Sequence, residues 1–190
     1  MNTQAEGKSV VLPYVEISNE GTIISGLALF KADKLIAVTD MKEAKYISLL
    51  KFNKGTGIIT IQKSDKEYID VLAKSKRKVK CFKKDNSYKF NIEINIKAEI
   101  TGNEFYKNLF KDPEEIKKLE KDVEKQVEKE CIVYIEKIKK EYKADILDLG
   151  SYAVAKSGRY KGVDWNEVAS ESDIEVTVKA KISKQGRGDF

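Results

Sequence analysis

Residues 88–100 read YKFNIEINIKAEI and alternate strictly between apolar and polar side chains. Every even-numbered position from Tyr88 to Ile100 is apolar, and every odd-numbered position is charged or carries an amide. Successive side chains of a strand point to opposite faces of a sheet, so this stretch is predicted to be a strand with one buried and one wet face. Such a strand is typical of an antiparallel or mixed sheet rather than a parallel sheet covered on both sides.

Similar patterns occur on both sides of this stretch. The alternation recurs at 69–82 and at 173–183. Shorter apolar runs bounded by turn residues predict further strands at 10–17, 22–30, 35–38 and 57–62.

A long amphipathic helix is predicted from its N-cap Asp112 to about Lys143, with Pro113 in the first turn. A short helix is predicted after Asp40, and DWNEVA at 164–169 predicts another. These elements predict an α+β fold: a single mixed, largely antiparallel sheet with one long helix and shorter helices packed on one face. We expect residues 1–9 to be a disordered N-terminal segment and 10–190 to form a single domain.

The composition limits the possible chemistry. There is no histidine in the 190 residues, which removes Ser-His-Asp and Cys-His nucleophile systems and most catalytic zinc sites. Two S-x-x-K matches are about as many as this serine and lysine content gives by chance. No pair of carboxylates stands out as a general acid and base, and no glycine-rich loop follows a strand. We therefore predict no enzymatic activity, no cofactor and no metal, and we leave the disulfide state of Cys81 and Cys131 open.

The run KSKRKVKCFKK at 74–84 is the densest positive segment in a chain whose net charge is only +5. Lysines of this kind are typical of a solvated or edge strand, where they discourage pairing with another sheet. They would also suit an anionic membrane surface or an acidic partner. Nucleic acid is disfavoured because no aromatic stacking platforms are interleaved with the charges. The candidate contact residues of this run are Lys74, Lys76, Arg77, Lys78 and Lys80.

Two apolar residues are further candidates for a partner surface. The run CIVYI at 131–135 is apolar around more of the helix than one buried stripe requires, which singles out Ile132. Trp165 is the chain's only tryptophan. For both residues the alternative is a role in the core or in filling a groove between elements.

The order of the segments resembles the C-terminal domain of Ger(x)C-type spore germination proteins, the C subunits of nutrient germinant receptors. The resemblance covers essentially Val10 to Gly186 and rests on order and spacing. The segments that carry it are LPYVEI, GLALFKADKLIAVTD, SLLKFNKG, NIEINIKAEI, KADILDLG, RYKGVDW and DIEVTVKAKI.

The resemblance implies a non-enzymatic receptor domain that acts by protein–protein contact with the integral-membrane A and B subunits during germination. It also implies a parent lipoprotein at the spore inner membrane, anchored through an N-terminal lipid absent from this chain, with the fragment itself soluble. A domain that senses a small-molecule germinant is the alternative. The family supplies no catalytic residues to transfer.

Overall fold

The computed structural model describes residues 9–19, 21–64, 66–85, 87–103, 109, 112–157 and 163–183. Residues 1–8, most of the segment predicted to be disordered, lie outside these ranges. The elements in chain order are β1 (Ser9–Ser18), β2 (Gly21–Lys31), β3 (Lys34–Val38), α1 (Met41–Lys51), β4 (Lys54–Ser64), β5 (Glu67–Lys84), β6 (Ser87–Asn103), α2 (Pro113–Lys137), a π-helical turn (Ile138–Tyr142), α3 (Leu149–Ser157), α4 (Trp165–Glu171) and β7 (Asp173–Ser183).

The strands form two sheets. One is antiparallel with the order β1-β2-β3, and the other has the order β4-β5-β6-β7, in which β7 runs parallel to β6. The α+β class, the mixed and largely antiparallel pairing and the long packed helix are confirmed, but the predicted single sheet is divided in two. The division occurs at α1, which separates β3 from β4 and leaves β4 to pair with β5.

The core lies between the four-stranded sheet and α2. The even-numbered side chains of β6 from Phe90 to Ile100 are buried as predicted, with Phe90 and Ile94 fully inaccessible, whereas Tyr88 is partly buried. They pack in one cluster with the stripe of α2, including Val123 and Cys131. Burial raises the pKa of the Cys131 thiol to about 12.

Helices α1 and α2 begin at the N-cap residues predicted from the sequence, Asp40 and Asp112. The Asp40 carboxylate accepts a hydrogen bond from the Glu43 amide at 2.7 Å, and the Asp112 carboxylate accepts one from the Glu114 amide at 2.9 Å. The α-helical geometry of α2 ends at Lys137, earlier than predicted, and continues as the π-helical turn. Helix α3 has no counterpart among the sequence-based predictions.

Helix α2 also covers the backbone of β7, the strand at the edge of its sheet. The carboxylates of Glu120, Glu124 and Glu128 accept hydrogen bonds from the amides of Ile182, Ala180 and Val178 at 3.0, 2.9 and 2.8 Å. Four helical residues rise about 6.0 Å and two strand residues about 6.7 Å, so every fourth residue of α2 meets every second amide of β7. We call these three residues the glutamate ladder, and it protects the strand edge from pairing with another chain.

Replacing the glutamate ladder by three alanines is expected to produce concentration-dependent self-association beyond that of the unmodified chain. The three amides of β7 would then be available to another strand. Replacement by three glutamines removes the same three charges but keeps an acceptor at each position. Sedimentation velocity should therefore show the self-association only in the alanine variant, and equal association of both variants would contradict this role of the ladder.

Candidate interaction surfaces

The outer face of the four-stranded sheet carries most of the predicted basic residues. Lys74, Lys76, Lys78 and Lys80 are exposed on β5 and point away from α2, since the buried positions of this strand are odd-numbered. The register brings lysines from the other three strands beside them. Lys54 lies opposite Lys76, Lys97 lies opposite Lys74, and Lys181 of β7 lies opposite Lys97.

Six residues form what we call the lysine face: Lys54, Lys74, Lys76, Lys97, Lys179 and Lys181. The acidic residues at its margins are Glu93, Glu99 and Glu120. Glu120 lies 3.4 Å from the Lys181 amine, whose side chain is nonetheless 82% exposed. A hydrogen bond from Asn95 and the nearby charges of Lys179, Lys78 and Lys80 lower the pKa of Glu93.

Arg77 does not belong to this surface. Its side chain is only 6% exposed and lies on the inner side of β5. The guanidinium donates to the carbonyl oxygens of Lys51 and Leu147 at 2.5 and 3.0 Å and lies 5.4 Å from the ring centroid of Tyr152. Burial lowers its pKa from the ordinary arginine value. Arg77 is thus a link between α1, β5 and the segment before α3, and its interpretation as a surface contact is corrected.

Trp165 belongs to α4 and Ile132 to α2, so neither is part of the lysine face. The ring of Trp165 is partly buried and meets the ring of Tyr88 edge-on at 5.8 Å. A Cβ placed on Gly150 would lie 2.8 Å from Trp165, which shows how closely α3 and α4 approach. Trp165 therefore fills a groove, whereas Ile132 of α2 is exposed together with Val133.

The end of the β1–β2 hairpin forms a second exposed surface, which was not predicted. Val15 lies opposite Ile24 and Glu16 lies opposite Ile23, beyond an irregularity in the register at Tyr14. We call Val15, Ile17, Ile23 and Ile24 the apolar hairpin. All four are exposed, and Ile17 reaches 87%. The sequence signal was the adjacent pair Ile23-Ile24, which places apolar side chains on both faces of one strand.

A buried polar cluster holds α1 against the end of α2. Glu43 accepts hydrogen bonds from the Lys137 amine at 2.8 Å and from the Tyr142 hydroxyl at 2.7 Å. Burial, together with the bond to Glu43, raises the pKa of Tyr142 to about 12. Because every group has a partner within the fold, we assign this cluster to stability.

A depression of about 400 Å³ opens between β5 and α3. Its lining is mainly apolar and consists of Val79, Lys80, Cys81, Phe82, Tyr152 and Ala155.

Within the described ranges, no group of three or more histidine, cysteine, aspartate or glutamate side chains could hold a metal ion. In the same part of the chain, no helix is long and apolar enough to cross a membrane.

Comparison with known proteins identifies the family. Residues 25–186 match the family model described as "Spore germination B3/GerAC like, C-terminal". The chain belongs to this GerAC-like family. The match includes β3 to β7, all four α-helices and every residue of the lysine face.

One protein is similar to this chain in sequence and one solved structure is similar to it in fold. The chain is 30% identical over 176 residues to the spore germination protein GerQC of Bacillus cereus, which covers 90% of this chain and 48% of GerQC. The crystal structure of the GerBC protein superposes with a TM-score of 0.75 at 22% identity, covering 93% of this chain and 57% of GerBC. The chain thus spans about half the length of these relatives. The GerBC match confirms the fold.

Proposed function

We propose that this GerAC-like chain is a non-enzymatic domain of a spore nutrient germinant receptor and acts by protein–protein contact with the receptor's integral-membrane A and B subunits. The parent protein would be held at the spore inner membrane by an N-terminal lipid. The family match supports a role in germination. The observation that carries the contact mechanism is the apolar hairpin, which exposes four large apolar side chains at the end of the β1–β2 strand pair.

Val15, Ile17 and Ile24 share one face of the hairpin, and Ile23 lies on the other. Exposed apolar clusters are typical of protein interaction sites, because leaving them in water forgoes the free energy of burial. The hairpin is a backbone-paired element, so its side chains are presented in a fixed arrangement. Ser25 and Glu16 add a side-chain hydrogen bond across the two strands near the same end. A partner could therefore bind the hairpin without reorganising the domain.

The test replaces Ile17 and Ile24 by serine in the parent protein of a spore former. Retention of the protein with the receptor's membrane subunits is then measured after detergent extraction, together with nutrient-triggered germination. We expect both to fall strongly, whereas Ile58→Ser, the same change at an exposed position of β4, should leave both unaffected. Normal retention and germination of the hairpin variant would contradict the proposed contact.

Germinant sensing is a second candidate because of the depression between β5 and α3. A ligand that binds only the folded state at 100 times its dissociation constant stabilises the fold by about 2.7 kcal/mol. A thermal-shift screen of amino acids, sugars and nucleosides should then reveal a germinant, and Tyr152→Ala should abolish the shift. A screen without any shift would leave the contact mechanism as the proposal.

A further inference from the structure

The lysine face combines two features of the described residues: it is positively charged over four strands, and neither α-helices nor loops among those residues cover it. The helices pack against the opposite side of the sheet, where the core lies. With strands about 4.8 Å apart and about 6.7 Å between successive outward residues, the two rows of lysines extend over about 14 Å.

The arrangement is unfavourable for the isolated domain. Like charges directly opposite each other on neighbouring strands destabilise a sheet. Here Lys54 faces Lys76, Lys74 faces Lys97, and Lys97 faces Lys181. The strands that carry these opposed pairs are about 4.8 Å apart, less than the Debye length of about 8 Å at physiological salt, so the potentials of the paired lysines add. An anionic surface placed against this face would relieve the repulsion.

We propose that the lysine face binds the anionic headgroups of a lipid membrane. This inference concerns a different surface from the apolar hairpin and does not depend on the proposed contact with receptor subunits. Charge complementarity is the basis of the proposal, and the composition of the face favours a membrane over other anionic partners.

An acidic protein partner fits this surface less well. The cores of protein–protein interfaces are depleted in lysine and enriched in aromatic residues and arginine. The lysine face contains neither, and Arg77, the one arginine of the three that falls within the described ranges, points to the other side of β5. Lysine acts as a flexible point charge and does not form the planar two-bond pairs that arginine makes with carboxylates. A layer of mobile headgroups requires no such geometry.

The test measures co-sedimentation of the 190-residue chain with vesicles. One set contains phosphatidylcholine alone, and the other contains equal parts of phosphatidylcholine and phosphatidylglycerol. We expect binding only to the second set, with a steep loss as salt is added. Replacing Lys74, Lys97 and Lys181 by glutamine should weaken binding by about tenfold or more, because each lysine near an anionic bilayer contributes separately.

The matched control replaces Lys118, Lys121 and Lys125 by glutamine. These residues are exposed on the side of α2 away from the sheet, and their loss changes the net charge equally. The control should bind nearly as the unmodified chain does. The lysine-face variant should also melt at a higher temperature, which shows that it is folded and that the repulsion was real.

Four results would overturn the proposal. These are no binding to the anionic vesicles, equal binding to both vesicle sets, unchanged binding of the lysine-face variant, and equal losses in the two triple variants. A polyglutamate peptide that binds the face where the anionic vesicles do not would point instead to an acidic protein partner.

Discussion

Gly26→Ala is expected to destabilise the fold by about 3 kcal/mol or more. A Cβ at this position would lie 1.8 Å from the carbonyl oxygen of Thr39, which is backbone and has no rotamer by which to move away. Two hydrogen bonds hold the strands at this distance, from the Leu27 amide to the Thr39 hydroxyl and from the Thr39 amide to the Leu27 carbonyl, both 2.9 Å. Relief of the clash must separate these groups and shift the start of α1.

Thermal unfolding provides the measurement for this variant. In a domain of this size, 1 kcal/mol corresponds to about 2–4 °C in Tm, so we expect a loss of about 6–12 °C. Gly57→Ala is the control, since a Cβ there meets nothing within 4 Å. The Tm of the control should stay close to that of the unmodified chain. Similar Tm values for the two alanine variants would contradict the close approach at Gly26.

Arg77→Ala is expected to cost about 3 kcal/mol of unfolding free energy. The change deletes a large buried side chain and leaves the carbonyls of Lys51 and Leu147 without their donor. Arg77→Lys should lose less but still destabilise, because an ammonium cannot reproduce the fork that reaches both carbonyls. Urea denaturation followed by circular dichroism would give both values.

Lys76→Ala is the control for Arg77, since Lys76 is the preceding residue on β5 and its side chain is exposed on the outer face. Its replacement should change stability by less than about 0.5 kcal/mol. Burying the Arg77 charge has a cost of its own, and replacing a buried charge by an apolar group can stabilise a protein. Arg77→Met tests which effect is larger, and a stability equal to or above that of the unmodified chain would contradict the linking role.

The fold class was predictable because alternation is a local property. The even positions of β6 are apolar from Tyr88 to Ile100, and those from Phe90 to Ile100 are buried in the core as expected. The division into two sheets was not predictable in this way, since it depends on which strands pair after α1. The alternation at 173–183 likewise identifies a strand with one buried face, but not that it pairs parallel to β6.

The basic surface was predicted in part. The lysines of β5 were identified as one run, but Lys54, Lys97, Lys179 and Lys181 join them only through the register of distant segments. The inward position of Arg77 could have been inferred from its odd residue number, because alternate residues of a strand point to the same face. It shares odd numbering with Val71, Ala73 and Cys81, which are buried on the same strand. Arg77 was instead grouped with the neighbouring lysines because all of them are positively charged.

The most direct test of the proposed role is nutrient-triggered germination of spores whose parent protein lacks only this domain. The levels of the other receptor subunits and the response to a trigger that bypasses nutrient receptors are measured alongside. The proposal predicts that the nutrient response is lost while the bypass response is retained. A normal nutrient response at normal levels of the other subunits would contradict it.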